Sequence, residues 1–196
     1  MKKGERTRRE LAAIAYRLFI TNGYDNTSVD EIIKTAGIAK GTFYYHYDSK
    51  EQLLEEVIGL MIANGSDKAK AVLASKASIP EKIVGIILSY RPEESEVLIR
   101  DALNKPENSI LHNRMNEKLR EDVILILSKV VKEGIKEGIF HCDNIPERIR
   151  AVLVLSSDLF DEGQFSKKEI SVFTDIVEKT LGAKPGTMGF LRNLVG

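Results

Sequence analysis

The sequence predicts an all-α protein, and three observations carry that reading. Apolar residues recur at the i, i+3, i+4, i+7 spacing of one helical face through most of the 196 residues. Helix punctuation is frequent, with Ser-x-x-Glu and Ser-x-x-Gln pairs at starts and glycine or proline at stops. No stretch alternates apolar and polar residues as a half-buried strand does, and no hairpin signal appears.

The elements follow in order. Leu11, Ile14, Ala15, Leu18 and Phe19 mark the inner face of a first helix, which Asn22 and Gly23 end. Ser28, with Glu31 three residues on, opens a second helix whose apolar face is Val29, Ile32, Ile33 and Ala36, and Gly37 stops it. A third helix, about residues 40–45, is too short to be stable alone and must pack on the first two. Ser49 with Gln52 starts a helix expected over about 50–63, with Leu53, Leu54, Val57, Ile58 and Met61 inside. Ser78 and Pro80 open the next. Arg91 and Pro92 break it, and Pro92, Glu93 and Glu94 begin another. A long helix over about 110–138 carries Leu119, Val123, Ile126, Leu127, Val130 and Val131 on one stripe. Pro146 opens a helix to about 161, and Ser166 caps a last one to about 181. The tail 182–196 is glycine-rich and expected to be loose at its end.

Composition bounds the function. No stretch has the roughly 20 apolar residues that a membrane span needs. Met1 to Arg6 is basic, but an amphipathic segment follows it rather than an apolar run, so no secretory signal is read. One cysteine, Cys142, excludes an internal disulfide framework and fits a reducing cytoplasm. The net charge is zero, yet residues 1–50 hold nine Lys/Arg against six Asp/Glu, which leaves −3 on the remainder. That positive end is a weak sign of an anionic partner.

Residues 27–46 have helix-turn-helix proportions. In such a unit the second helix enters the DNA major groove while the first crosses the backbone. Ile32, Ile33, Ala36, Ile38 and Phe43 would hold the pair together, leaving Ala39, Lys40, Gly41, Thr42, Tyr44, Tyr45 and His46 largely outward. Small, hydroxylic, aromatic and basic side chains are the makeup of a surface that lies against DNA.

The run from Ser28 to Leu54, with the preceding Ala15 to Phe19 and Asn22 to Tyr24, resembles the N-terminal domain of the TetR family of transcriptional regulators. The resemblance covers about residues 6–54 and is only architectural beyond residue 55. It implies a helix-turn-helix DNA-binding domain over 1–49 and a larger helical ligand-binding and dimerisation domain over 50–196. It also implies roles. Thr27 and Ser28 would donate to a phosphate at a helix N-terminus. Lys40, Gly41 and Thr42 would sit deepest in the groove, with Lys40 on guanine or a phosphate. Tyr44 would touch base edges or a thymine methyl. Tyr45 and His46 would bond phosphates, and Lys50 would add a charge-assisted phosphate contact. Ala39 stands where the family most often has serine, so one phosphate contact is replaced by an apolar touch. Tyr47 takes a buried aromatic position, and Tyr24 is a packing residue.

The segment from Glu137 through Phe160 is similar to the C-terminal part of many such regulators. There the last two long helices pair with their symmetry mates in a four-helix dimer interface. Here Val152, Leu155, Ser156, Leu159 and Phe160 on one helix, with Val172, Phe173, Ile176 and Thr180 on the other, would form it. The competing reading is that they face the monomer's own core.

His141, Cys142 and Asp143 are adjacent in a loop and cannot easily close a tetrahedral metal site. No hydrolase, zinc-protease or phosphate-loop motif is present, so no enzyme and no cofactor are expected. Met61, Leu88, Leu103 and Phe160 are apolar candidates for a pocket, with core packing as their alternative, and Arg91 and Arg100 are candidate cations for an anionic group. The resulting expectation is a cytoplasmic homodimer that binds a double-stranded, palindromic DNA operator. It acts as a repressor and is released by a small-molecule effector, through the helix at 50–63. The alternative is a helical binding or interaction protein without operator recognition.

Overall fold

The computed structural model describes residues 3–160 and 166–193. Among the described residues the regular structure is helical, as the sequence predicts. The α-helices are α1 (Lys3–Asn22), α2 (Val29–Ala36), α3 (Lys40–His46), α4 (Lys50–Ala74), α5 (Ile79–Ser89), α6 (Val97–Leu103), α7 (Ser109–Lys136), α8 (Ile145–Phe160) and α9 (Lys167–Leu181). Short 3-10 turns cover Glu94–Glu96, Pro106–Asn108 and Gly189–Asn193.

Local chemistry sets the ends. Ser28 caps α2 by accepting from the Glu31 N–H at 3.1 Å. Gly37, at φ 64°, closes α2 in the left-handed conformation that favours glycine. Ser166 and Glu169 form a reciprocal capping box at α9, and the backbone and hydroxyl bonds from Ser166 hold the Glu169 carboxyl below its usual range.

Helix α4 runs eleven residues beyond the expected end at 63. Asn64 and Gly65 lie inside the helix, and Gly65 serves its packing. A Cβ at Gly65 would lie 2.8 Å from the Tyr90 ring and 3.0 Å from the Ser89 carbonyl. Gly85 on α5 answers it, since a Cβ there would come within 2.9 Å of Val72. Helices α4 and α5 approach closely through these two glycines.

The chain packs as two compact units that are not contiguous in sequence: Met1–Asn64 with Arg91–Lys118, and Gly65–Tyr90 with Leu119–Gly196. The first unit buries Leu11, Ala15, Phe19, Ile32, Phe43, Tyr47, Leu53, Leu54 and Val57 in one core. Ile99, Ala102, Leu111 and Met115, from α6 and α7, complete that core. The ties within it are polar as well: Tyr16 donates to Glu96 at 3.0 Å, and Arg114 pairs with Glu55 at 2.8 Å. Burial, the larger cause, and Glu96 push the Tyr16 hydroxyl up to about 12.

The second unit buries Ile79, Ile83 and Ile86 of α5, Ile126, Val130 and Val131 of α7, and Phe173, Val177 and Leu181 of α9. Lys82 is buried and paired with Glu133 at 2.7 Å. The part of the tail just after α9 is anchored: Met188 and Leu191 are buried, and the Met188 N–H donates to the buried Glu178 carboxylate at 2.8 Å. The tail's last residues, 194–196, lie outside the described residues.

Gly134 on α7 faces the ring of Phe140, which occupies the place of a Cβ. Alanine favours a helix over glycine by about 1 kcal/mol. Even so, Gly134→Ala is expected to destabilise the protein by about 1–3 kcal/mol through overpacking, read as a lower urea midpoint at unchanged slope.

Candidate nucleic-acid interface

Helix α3 has seven residues and no side-chain cap at Ala39. Tertiary contacts hold it in place. Phe43 is fully buried against the core that includes Ile32, and it meets Tyr47 at a ring separation of 6.0 Å. Tyr47, the C-cap of α3, comes four positions after Phe43, and both side chains turn to the inner side. Tyr47 is also fully buried, as expected, and its hydroxyl donates to the Arg8 carbonyl at 2.9 Å. The Arg8 guanidinium lies 5.0 Å over the Tyr47 ring and bonds Glu56 at 2.7 Å. Burial pushes the Tyr47 hydroxyl well up.

Sequence reading did not find the link among Arg8, Tyr47 and Glu56. Its members are far apart in the chain and share no motif spacing.

The turn between α2 and α3 is fixed by backbone bonds. The Gly37 N–H donates to Lys34 O at 3.2 Å and the Ile38 N–H to Ile33 O at 3.3 Å. With α3 seated this way, Ala39, Lys40, Gly41, Tyr44 and Tyr45 are exposed, and Thr42 and His46 are half-buried. Tyr45 is 82% exposed, an unusual setting for a large aromatic ring in a protein at rest. A Cβ on Gly41 would meet nothing within 4 Å, so the backbone there is open to close approach. Lys40 stands 3.4 Å from Asp30, and both side chains are largely solvated, so this pair holds the ammonium weakly. Ser28 is exposed at the N-terminus of α2.

Two of the expected contact residues are placed otherwise. Thr27 is fully buried, and its hydroxyl donates inward to Gly23 O at 2.8 Å, with Leu18 O 3.4 Å away. It locks the turn to the end of α1 and does not face outward. Lys50 turns its ammonium onto the Tyr24 and Thr27 carbonyls.

On the second unit, Phe173 belongs to the unit's own core, which corrects its expected place on a dimer face. Val172 is exposed, and Val152, Leu155, Ser156, Leu159, Ile176 and Thr180 are half-buried. The side chain of Phe160 lies outside the described residues.

The pocket candidates do not share one cavity lining. Met61 and Leu103 pack on the first unit's core, whereas Leu88 is exposed on the second. Arg100 pairs with its neighbour Asp101 at 3.0 Å. A polar groove of 320 Å³ on the first unit, lined by Arg8, Gln52, Glu55, Glu56, Gly59, Leu60 and Lys118, has no counterpart in the sequence reading. Among the described residues no cluster of His, Cys, Asp or Glu could hold a metal ion, and no helix is long and apolar enough to cross a membrane. Burial pushes the half-buried Cys142 thiol up.

Comparison with known proteins agrees with the helical fold and with a helix-turn-helix at its start. The sequence profile of the family described as bacterial regulatory proteins, tetR family, matches residues 11–57. The HTH-type transcriptional repressor KstR2 of Rhodococcus jostii is 28% identical over 149 residues, covering 72% of this chain and 71% of that protein. The HTH-type transcriptional regulator QacR of Staphylococcus aureus is 39% identical over 51 residues, covering 26% and 27%. The crystal structure of RolR with the ligand resorcinol shares the fold, with a TM-score of 0.65 and 19% identity over 99% of this chain and 95% of that one.

Tyr47→Phe removes one hydroxyl from the seat of α3. It is expected to lower stability by about 1 kcal/mol in denaturant titration, with the helix content at 25 °C unchanged by circular dichroism.

Proposed function

We propose that this chain, a member of the TetR family of DNA-binding transcriptional regulators, is a homodimeric repressor that a small molecule releases from a palindromic operator. The observation that carries the reading is the outward face of α3: Lys40, Gly41, Thr42, Tyr44, Tyr45 and His46, flanked by Ala39 and Ser28, on a helix seated by buried Phe43. A basic group, an open backbone position and two aromatic phenols on one short helix suit a major groove. Lys40 reaches a guanine or a phosphate, and the tyrosines reach base edges and backbone.

One such helix reads few bases. Two-fold symmetry doubles the reading and sets half-sites about one DNA turn apart. Helices α8 and α9 supply the dimer face, with Val152, Leu155, Ser156 and Leu159 beside Val172, Ile176 and Thr180. The exposed apolar side chains of Val172 and Val154 support this.

Residues 1–49 carry the DNA contacts and 50–196 carry effector binding and dimerisation. The effector acts by population shift: it binds better to the dimer whose recognition helices are wrongly spaced. Helix α4 starts at Lys50, beside the DNA-reading segment, and its residues from Gly65 on belong to the second unit, which supports its role in that coupling. The site of action is the cytoplasm.

Fluorescence anisotropy against the DNA upstream of the chain's own gene tests the reading. The expected outcome is a preference of about 10³ or more over an unrelated duplex, and equal weak binding to that duplex and to every sequence in a random pool would overturn it. Lys40→Ala is expected to weaken binding and reduce the salt slope by about one per protomer if Lys40 meets a phosphate. Val172→Asp is expected to shift the protein from dimer to monomer in sedimentation while keeping its helix content, and a dimer that persists would move the interface elsewhere.

A further inference from the structure

Lys50 opens α4, one residue after Ser49, whose hydroxyl accepts from the Gln52 N–H at 3.2 Å. An ammonium has three donors. At Lys50 one goes to Tyr24 O at 2.9 Å and one to Thr27 O at 3.1 Å. The nitrogen also stands 4.1 Å from the centroid of the Tyr24 ring, within cation–π range.

The two carbonyls are not arbitrary. The Thr27 N–H donates to Tyr24 O at 3.2 Å, so Tyr24 and Thr27 are the ends of one tight turn. Lys50 clasps both ends of it. The Thr27 carbonyl is the last group before Ser28, the cap of α2.

Further contacts from α1 and from α4 hold the rest of the turn. Thr27 Oγ1 donates to Gly23 O, the Tyr24 ring meets Phe19 edge-on at 5.2 Å, and the Tyr24 hydroxyl donates to Glu51 at 3.3 Å. The connection between α1 and α2 is thus gripped by the end of α1 and by the start of α4, where Lys50 holds its backbone and Glu51 the Tyr24 hydroxyl.

We propose that Lys50 is a positioning residue for operator binding rather than a phosphate-binding cation. It fixes the entry of α2, and α2 fixes α3 through Ile32 and Phe43. The inference rests on the DNA-binding reading above for its consequence, though not for its geometry. A cation that met phosphate would serve through its charge, and arginine would serve as well. A cation that clasps two carbonyls and a ring serves through its shape, and the planar guanidinium does not reproduce a compact three-donor point.

The test uses the full-length protein, with a duplex selected by the wild type from a random-sequence pool. Lys50→Arg and Lys50→Met are titrated over a salt series beside Lys40→Ala. Both Lys50 variants are expected to weaken binding about tenfold or more with the wild-type salt slope. In the absence of DNA they are also expected to speed amide exchange at Thr27 and Ser28.

Wild-type affinity in Lys50→Arg, with a slope lower by about one per protomer in Lys50→Met and unchanged amide exchange, would overturn the proposal. If Lys50→Met fails to fold, Lys50→Arg alone decides by the same readouts. If the wild type selects no preferred duplex, the regulator reading falls, and the exchange rates at Thr27 and Ser28 still decide whether Lys50 holds the turn.

Discussion

Everything this protein presents to a partner through α3 depends on the burial of one ring. A helix of seven residues cannot pay its own nucleation cost in water. Phe43 supplies what the backbone cannot, by filling the space between α2 and the helices that flank it. Removing a buried aromatic side chain costs about 3–5 kcal/mol in general, comparable to a sizeable part of a domain's net stability. The most exposed residues of α3, Lys40, Gly41 and Tyr45, are therefore open to selection for contact, since the burial that seats the helix lies on its other side. That division of labour explains how Tyr45 can stand in solvent at no structural gain to the chain.

The seat of α3 is rigid because it is held redundantly. Tyr47 bonds the backbone of α1, Arg8 stacks over Tyr47 and reaches Glu56, and Thr27 with Lys50 pins the turn that precedes α2. Polar groups that leave water are costly unless paired, and here each is paired with a group on a different element. In the second unit the same end is reached by sterics, with Gly65, Gly85 and Gly134 letting helices and rings approach to distances that a methyl group would forbid.

The sequence made much of this legible, for identifiable reasons. Helical periodicity is a local signal, and it located the helices and most of their ends. Caps such as Ser28 with Glu31 are local too. The outward residues of α3 could be read because Phe43 and Tyr47 fix its phase. What stayed hidden depends on partners distant in the chain. The packing role of Gly65 shows only once Tyr90 is seen beside it. Thr27 looks like a surface hydroxyl until the Gly23 and Leu18 carbonyls are found beneath it. Phe173 and Val172 are adjacent and equally apolar, and only packing separates core from surface. The burial of Met188 was hidden by the glycine and proline around it, which favour a turn without saying what the turn rests on.

The core around Phe43 does not end where the helix-turn-helix does. Ile99, Ala102, Leu111 and Met115 arrive from a later stretch of chain to finish it. Regulators of this kind are often imagined as interchangeable halves, a reading head joined to a sensor. In this protein a cut at the start of α4 would split a single hydrophobic interior rather than separate two. Exchange of DNA specificity between relatives, by recombination or by hand, would then have to carry the start of α4 to Asn64 and residues 91–118 along with the first three helices, or rebuild their contacts. Evolution of the outer face of α3 by point substitution avoids that penalty, so new operators are more accessible by drift at a few exposed positions than by shuffling whole segments.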